Sequence, residues 1–333
     1  MNEVTTTGTS TPIKKGNNDL GDLVRDMNVP APERERRVRI EGDAWLEETL
    51  QKYESSFDLK KTYKEISYDV MSQSLPVLTS EQINQFIEAT IEYEEHENYL
   101  DRTGLFATAL IQTAYNAGFN DFVLEPKGTQ PLNWIGVWLE GTQNNPIRLT
   151  NNAQTGKNCG ALTKYSTITN NARTGDWCGG ETEYSNITNN AQTGNHCGAL
   201  AKHSTITNNA QTGDYCGHEA EHSTITNNAQ TGDYCGYRAE HSTITNNAKT
   251  GFSCGFSAEH STFTINAQTE DNCGLRAEHS TFKTNNPETL KEILRDISNL
   301  KINLYLECTD THSGNKIIFI HPDGTEEVIK DYE

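Results

Sequence analysis

No run of apolar residues in this chain approaches the roughly 18 to 20 needed to cross a bilayer as a helix, so no helical membrane span is expected. Basic residues are scarce as well. Lys and Arg number 27 against 46 Asp and Glu, a formal net charge of −19 over 333 residues. Phosphate neutralisation takes basic surface, so no nucleic-acid partner is expected. The start, Met1-Asn2-Glu3-Val4-Thr5-Thr6-Thr7-Gly8, has no basic stretch leading into an apolar one. No secretory signal is expected there, and a cytoplasmic location is. A phosphate-cradling Gly loop, a dinucleotide fingerprint, His-Glu-x-x-His and Gly-x-Ser-x-Gly are all missing. The expectation is a chain that is no enzyme and carries no cofactor or metal. The acid is concentrated early: residues 1–146 hold 13 Lys and Arg against 24 Asp and Glu.

What the chain has in abundance is repetition. Cys159, Cys178, Cys197, Cys216, Cys235, Cys254 and Cys273 recur every 19 residues, as do the serines from Ser166 to Ser280. Seven units fit between Ile147 and His279, and the best preserved, Ser223 to His241, reads STITNNAQTGDYCGYRAEH. Nineteen residues are too few for a helix pair and hold no amphipathic helical face. They do alternate: Ser223, Ile225 and Asn227 point one way, and Thr224, Thr226 and Asn228 the other, as a strand requires. Gly232 and Gly236 flank Cys235 where tight turns need a permissive backbone. The unit reads as one coil of a β-solenoid, stacked on its neighbours at roughly 4.8 Å, and seven and a half coils make a rod of roughly 36 Å. Such a stack turns columns into ladders: Ile168, Ile187, Ile206, Ile225 and Ile244; the seven cysteines; and Ala201 to Ala277. Inward asparagines, Asn170 to Asn246, are expected to bond up and down their own column, because an unpaired amide in the interior is costly.

The pattern from Ile225 to Ile244, Ile-x-x-x-x-x-x-Gly-Asp-x-Cys-Gly-x-x-Ala-x-x-Ser-x-Ile, resembles the repeats of the GXGXG β-helix superfamily. Its members include the C-terminal domain of the glutamate synthase large subunit and one of the subunits of formylmethanofuran dehydrogenase. Gly213, Gly217, Gly232 and Gly236 match that superfamily's glycines. Ala210 and Ala229 stand where Gly is usual, Cys replaces Val, Ser replaces the Gly before each strand, and Glu270 breaks the glycine column. The resemblance covers 147–279 and implies a right-handed parallel β-helix that is a structural element without catalytic residues.

Several columns carry chemistry. The cysteines lack the Cys-x-x-Cys spacing of a zinc site, and stacked coils hold parallel Cβ vectors too far apart for disulfides. They read as reduced core residues in a reducing compartment. His203, His222, His241, His260 and His279 form a column beside Glu221, Glu240, Glu259 and Glu278, read as solvated corners. The outward pairs Thr205 and Thr207, Thr224 and Thr226, and Thr243 and Thr245 make a flat hydroxyl and methyl grid, a possible binding face. The grid resembles that of β-solenoid ice-binding proteins, with Arg148, Asn186 and Lys283 interrupting it. Asp176, Asp214, Asp233 and Asp271, with Trp177, Tyr215 and Tyr234 nearby, are the support for a carbohydrate-binding or carbohydrate-active alternative.

The flanks change period. Residues 1–33 read as a disordered lead, and 34–118 as a small helical domain, with Thr79 and Gln82 as a capping box. Residues 119–146 form a junction or irregular first coil, and 147–286 the solenoid. Residues 287–333 read as a helix begun at Asn286-Pro287, strands at Ile302–Leu306 and Lys316–His321, and a last strand near Glu327–Ile329. The fold class is mainly β, a parallel β-solenoid of 19-residue coils with a helical domain before it and an α/β cap after it. The expected function is a non-catalytic scaffold or interaction module whose partner is another protein.

Overall fold

The computed structural model describes residues 44–55, 74–294 and 314–332. The chain divides into a unit Met1–Gly42 and a unit Asp43–Glu333, and every described residue belongs to the second. The lead over 1–33, the Ile302–Leu306 strand and Cys308 lie outside the described residues.

Three helices open the described part: α1 (Ala44–Ser55), α2 (Ser80–Ala89) and α3 (Tyr99–Asn116). Thr79 and Gln82 make the capping box of α2 in both directions. The apolar faces meet around Tyr53, whose ring lies edge-on to Phe86 and Phe106 at 5.5 and 5.4 Å. Gly104 lets α3 lie directly on the chain at Asn133, because a Cβ there would fall 1.7 Å from the Asn133 carbonyl oxygen.

The rest of the described fold is one sheet of eleven strands in sequence order. They are β1 (Asp121–Leu124), β2 (Ile147–Asn151), β3 (Ser166–Asn170), β4 (Asn186–Asn189), β5 (Thr205–Asn208), β6 (Thr224–Asn227), β7 (Thr243–Asn246), β8 (Thr262–Ile265), β9 (Thr281–Thr284), β10 (Asn315–Ile320) and β11 (Glu326–Tyr332). Strands β1 to β10 pair in parallel, and β11 folds back antiparallel on β10. From β2 to β9 each strand meets the next 19 residues on, Thr205 on Thr224 on Thr243. The parallel stack therefore begins before the repeat, at β1, and continues beyond it, at β10. A helix α4, which covers 287–294 within the described residues, follows β9, and Asn286 Oδ1 caps it by accepting the Glu288 and Thr289 amides at 2.9 and 3.1 Å.

Backbone geometry closes each coil. In the coil after Asn208, Tyr215, Gly217, Glu219 and His222 take left-handed φ values of 60°, 68°, 51° and 49°, and the other complete coils repeat this. The three non-glycine residues donate their N–H groups to the following coil, Tyr215 to Asp233 O, Glu219 to Tyr237 O and His222 to Glu240 O. Their neighbours donate backwards, Gly217 to Cys197 O and Glu221 to Ala201 O. Left-handed corners thus turn the chain while keeping its amides paired with both neighbouring coils, which offsets strain of roughly 1 kcal/mol each.

Inside the rod the ladders are continuous. Ile168, Ile187, Ile206, Ile225 and Ile244 are buried, and Phe263 and Phe282 extend their column with rings stacked at 5.1 Å. The amide ladder starts one strand earlier than expected, with Asn151 Nδ2 donating to Asn170 Oδ1 at 3.4 Å, and runs on through Asn189, Asn208, Asn227 and Asn246, each Nδ2 donating to the next Oδ1 at 2.8 Å. It ends where Ile265 takes the next position. Each serine amide donates to the next serine hydroxyl, and Asn315 closes that column by accepting from Ser280 N at 2.8 Å.

Candidate functional site

The outward side of the strands carries the threonine grid. In one column Thr205, Thr224, Thr243, Thr262 and Thr281 follow one another, and in the next Thr150 through Thr264 are threonine in seven successive strands. Beside them Asn171, Asn190, Asn209, Asn228, Asn247 and Asn266 form an outer amide ladder that donates back toward the N-terminus at 2.7 to 2.8 Å. From Thr167 to Asn266 every outward strand and ladder position is Thr or Asn, in a chain whose net charge is −19. Charges bound this neutral face at both ends. Asp121 and Arg148 pair across β1 and β2, and Lys283 pairs with Glu326 at 2.7 Å. Asn186 stands in the first threonine column without adding a charge. Strands fixed in register by inner ladders hold this face flat and regular. Among the described residues no side-chain hydrogen bond engages the hydroxyls of Thr205, Thr207, Thr224, Thr226, Thr243 and Thr245.

The other chemistry-bearing columns are engaged between coils. Asp214 Oδ1 accepts the Asp233 amide, and Asp233 Oδ1 the Phe252 amide, both at 2.9 Å. Asp176 does the same for Asn195 at 2.7 Å. These carboxylates hold turns of the next coil. Trp177, His196, Tyr215 and Tyr234 stack face to face at 4.6 to 5.0 Å, so neighbouring rings cover most of the faces a sugar would stack on. The histidine column is part of a longer stack of seven rings. Tyr165 and Tyr184 lead into His203, His222, His241, His260 and His279 at centroid spacings of 4.8 to 5.2 Å. Residue type alone separates the two tyrosines from the histidines. Their shared 19-residue spacing is the signal that joins them.

The seven column cysteines are free thiols and buried. Each from Cys159 to Cys235 sits between two asparagines: Asn208 Nδ2 donates to Cys216 Sγ at 3.5 Å, and Cys216 Sγ donates to Asn227 Oδ1 at 3.3 Å. Adjacent thiols and burial together push the Cys159, Cys216 and Cys254 thiols well above their ordinary range. A threonine column from Thr155 to Thr269 lies inside as well, its hydroxyls buried without a hydrogen-bond partner. The Thr155 hydroxyl is next to the Cys159 thiol. Nothing in the pattern Gln-Thr-Gly marks this column as interior, because the turn residues around it break the alternation of the strand.

Charge elsewhere runs in corners. Lys164 pairs with Glu183 at 3.0 Å and Lys202 with Glu221 at 2.7 Å, which holds the Glu221 carboxyl below its usual range. His218 is held below the ordinary imidazole range, chiefly by burial. A cleft of about 390 Å³ opens between the last full coil and α4, lined by Lys249, Phe252, Glu270, Asp271, Glu288 and Glu292 among others. Lys249 spans it to Glu270 at 2.8 Å. Among the described residues no group of His, Cys, Asp and Glu is arranged to hold a metal ion, and no helix is long and apolar enough to cross a membrane. No family model, no curated protein and no solved structure matches this chain.

Proposed function

We propose that this chain is a non-catalytic interaction module, a rod that presents its neutral threonine and asparagine face to another protein. One observation carries the reading. The carboxylates of Asp176, Asp214 and Asp233, the thiols, the inner amides and the aromatic rings are taken up in joining coil to coil, while the outward threonine hydroxyls are left to solvent. A regular face without charge also meets a partner with little desolvation cost, since the expensive groups to dehydrate are charged ones. Buried free thiols suit a reducing compartment, which supports a cytoplasmic setting. Coil architecture together with the spacing of Gly213, Gly217, Gly232 and Gly236 supports kinship with the GXGXG solenoids.

A second reading has its own support. Two contiguous threonine columns, about 6.8 Å apart along the strands and repeated at about 4.8 Å across them, make a lattice that suits ordered water at an ice surface. One pair of proteins separates the readings: the full chain, and the full chain with Thr205→Lys and Thr243→Lys on the exposed strand face. Capture from the native cell by the first and not the second is expected for a protein partner. A gap between melting and freezing points, lost in the variant, would identify the ice surface instead. Equal capture by both proteins would show that the face is not the working surface.

A further inference from the structure

One thiol enters the interior from each coil, and the backbone holds successive thiols in register. Gly179 donates its N–H to Cys159 O and Gly198 to Cys178 O, both at 2.9 Å, and the same bond recurs up to Gly274 on Cys254 O. Neighbouring cysteines are therefore one coil repeat apart, roughly 4.8 Å. That separation is too long for a disulfide. It does fit two collinear metal–sulfur bonds, which at about 2.3 Å each for a closed-shell d10 ion span about 4.6 Å. The Cys-x-x-Cys spacing belongs to ions enclosed by three or four ligands, and among the described residues no set of three or more groups encloses an ion. An ion that takes two sulfurs in line needs only two neighbouring coils.

Hydrogen-bond donors already surround the sulfurs. Asn170, Asn189 and Asn208 donate Nδ2 to the Sγ atoms of Cys178, Cys197 and Cys216 at 3.4, 3.3 and 3.5 Å. The hydroxyls of Thr174, Thr193 and Thr231 lie beside the thiols of Cys178, Cys197 and Cys235. These threonines are 1 to 3 % exposed, and their hydroxyls have no hydrogen-bond partner. A neutral thiol is a weak acceptor. A thiolate is the acceptor these hydroxyls lack, and donors around sulfur are what tune thiolate ligands in metal centres. We propose that neighbouring thiols of this column form two-coordinate sites for a soft monovalent d10 cation, of which Cu(I) is one. Each ion forms two S–Cu bonds and displaces two S–H protons to solvent, with no change of oxidation state. The pair with its ion carries one negative charge, which the amide and hydroxyl donors face. An asparagine that loses its S–H donor keeps its amide partner, as Asn208 Oδ1 keeps Asn189 Nδ2 at 2.8 Å. Terminal coils of a solenoid open without the rest, which gives the ion its way in. This site is separate from the outward threonine face.

The test uses the full chain with Cys308→Ser, so that only the seven column thiols answer. Two further proteins keep four of them each. Cys235→Ala, Cys254→Ala and Cys273→Ala leave Cys159, Cys178, Cys197 and Cys216 in consecutive coils. Cys178→Ala, Cys216→Ala and Cys254→Ala leave four thiols with no two in neighbouring coils. Each protein is equilibrated without oxygen with Cu(I) held by bathocuproine disulfonate, and bound copper is read by native mass spectrometry. The consecutive variant is expected to retain copper, and the alternating one to lose it all to the chelator. Equal or greater retention by the alternating variant overturns the proposal, as does no retention by the seven-thiol chain. If either variant does not fold, X-ray absorption of the copper-loaded seven-thiol chain decides. Two sulfur neighbours are expected there, and a third sulfur or any nitrogen or oxygen neighbour overturns the proposal. Loss of the solenoid's circular dichroism on loading overturns it too, because an opened chain would then hold the ion.

Discussion

Asn208 touches four partners at once. It accepts from Asn189 Nδ2 at 2.8 Å and from Cys197 Sγ at 3.2 Å, and donates to Asn227 Oδ1 at 2.8 Å and to Cys216 Sγ at 3.5 Å. Asn208→Ala takes the amide partner from the Asn189 donor and the Asn227 acceptor, leaving each only its weaker thiol contact in the interior, at roughly 1 to 3 kcal/mol each. The expected loss is about 3 kcal/mol, read as a lower midpoint in urea unfolding. Asn246 closes the same ladder, and the chain itself has Ile265 at the next position. Asn246→Ile removes one amide-to-amide bond, that from Asn227, where Asn208→Ala removes two, so a loss of about half that size is expected. Equal losses at the two positions would show that the ladder has no end effect and that cavity formation decides both. The inward column from Asn170 to Asn246 was legible in the sequence because strand alternation assigns its direction. Its sulfur partners were not legible, since nothing in a 19-residue period says how far across the coil a thiol reaches.

Glu270 is an exception that explains the glycines at the element scale. A Cβ on Gly232 would meet Asp214 Oδ1 at 2.1 Å, and one on Gly251 would meet Asp233 Oδ1 at 2.1 Å. Each glycine makes room for the carboxylate that reaches over from the preceding coil to hold the glycine's own turn. Before Glu270 that turn residue is Phe252, which has no such oxygen, and the column of glycine amide to glycine carbonyl bonds from Gly175 to Gly251 stops there. The cleft lined by Phe252 and Glu270 opens at the same place. Gly251→Ala is therefore expected to cost about 2 to 4 kcal/mol by overpacking. Because the Gly232 carbonyl carbon also lies 2.8 Å from that Cβ, Asp233→Ala relieves only part of the cost. The double variant should be about 1 kcal/mol more stable than the two single losses added together predict. Strict additivity in thermal unfolding would separate the glycine from the aspartate. The repeat, the strands and the break at Glu270 were visible in the sequence. The left-handed corners at Tyr215, Glu219 and His222 were hidden, because bulky residues there carry no local sign of a positive φ and are held by bonds to the next coil.

For the molecule as a whole, a solenoid's coils touch only their neighbours, so opening starts at an end and propagates inward. The two ends are covered differently. On the N-terminal side Phe86, Phe106 and Leu110 belong to one continuous apolar cluster with Leu132, Ile135 and Cys159. On the C-terminal side, among the described residues, the cluster closes through Phe282, Ile293 and Ile317, with the half-buried Leu290, Leu294, Ile329 and Tyr332 packed against it. The column thiols report on this directly: they are 0 to 1 % exposed, so an alkylating reagent reaches a thiol only when the coil around it opens. Each label therefore marks the opening of its own coil. Pulses of iodoacetamide in sub-denaturing urea, read by peptide mass spectrometry, should label Cys273 first and Cys254 next, with Cys216 and Cys197 far slower and Cys159 slower than Cys273. Simultaneous labelling of all seven would mean that the rod opens in one step and that its coils are coupled more strongly than nearest-neighbour stacking provides. Cys159 reacting ahead of Cys273 would place the weak end under the helices, and the larger apolar cluster there would then not be what holds the rod shut.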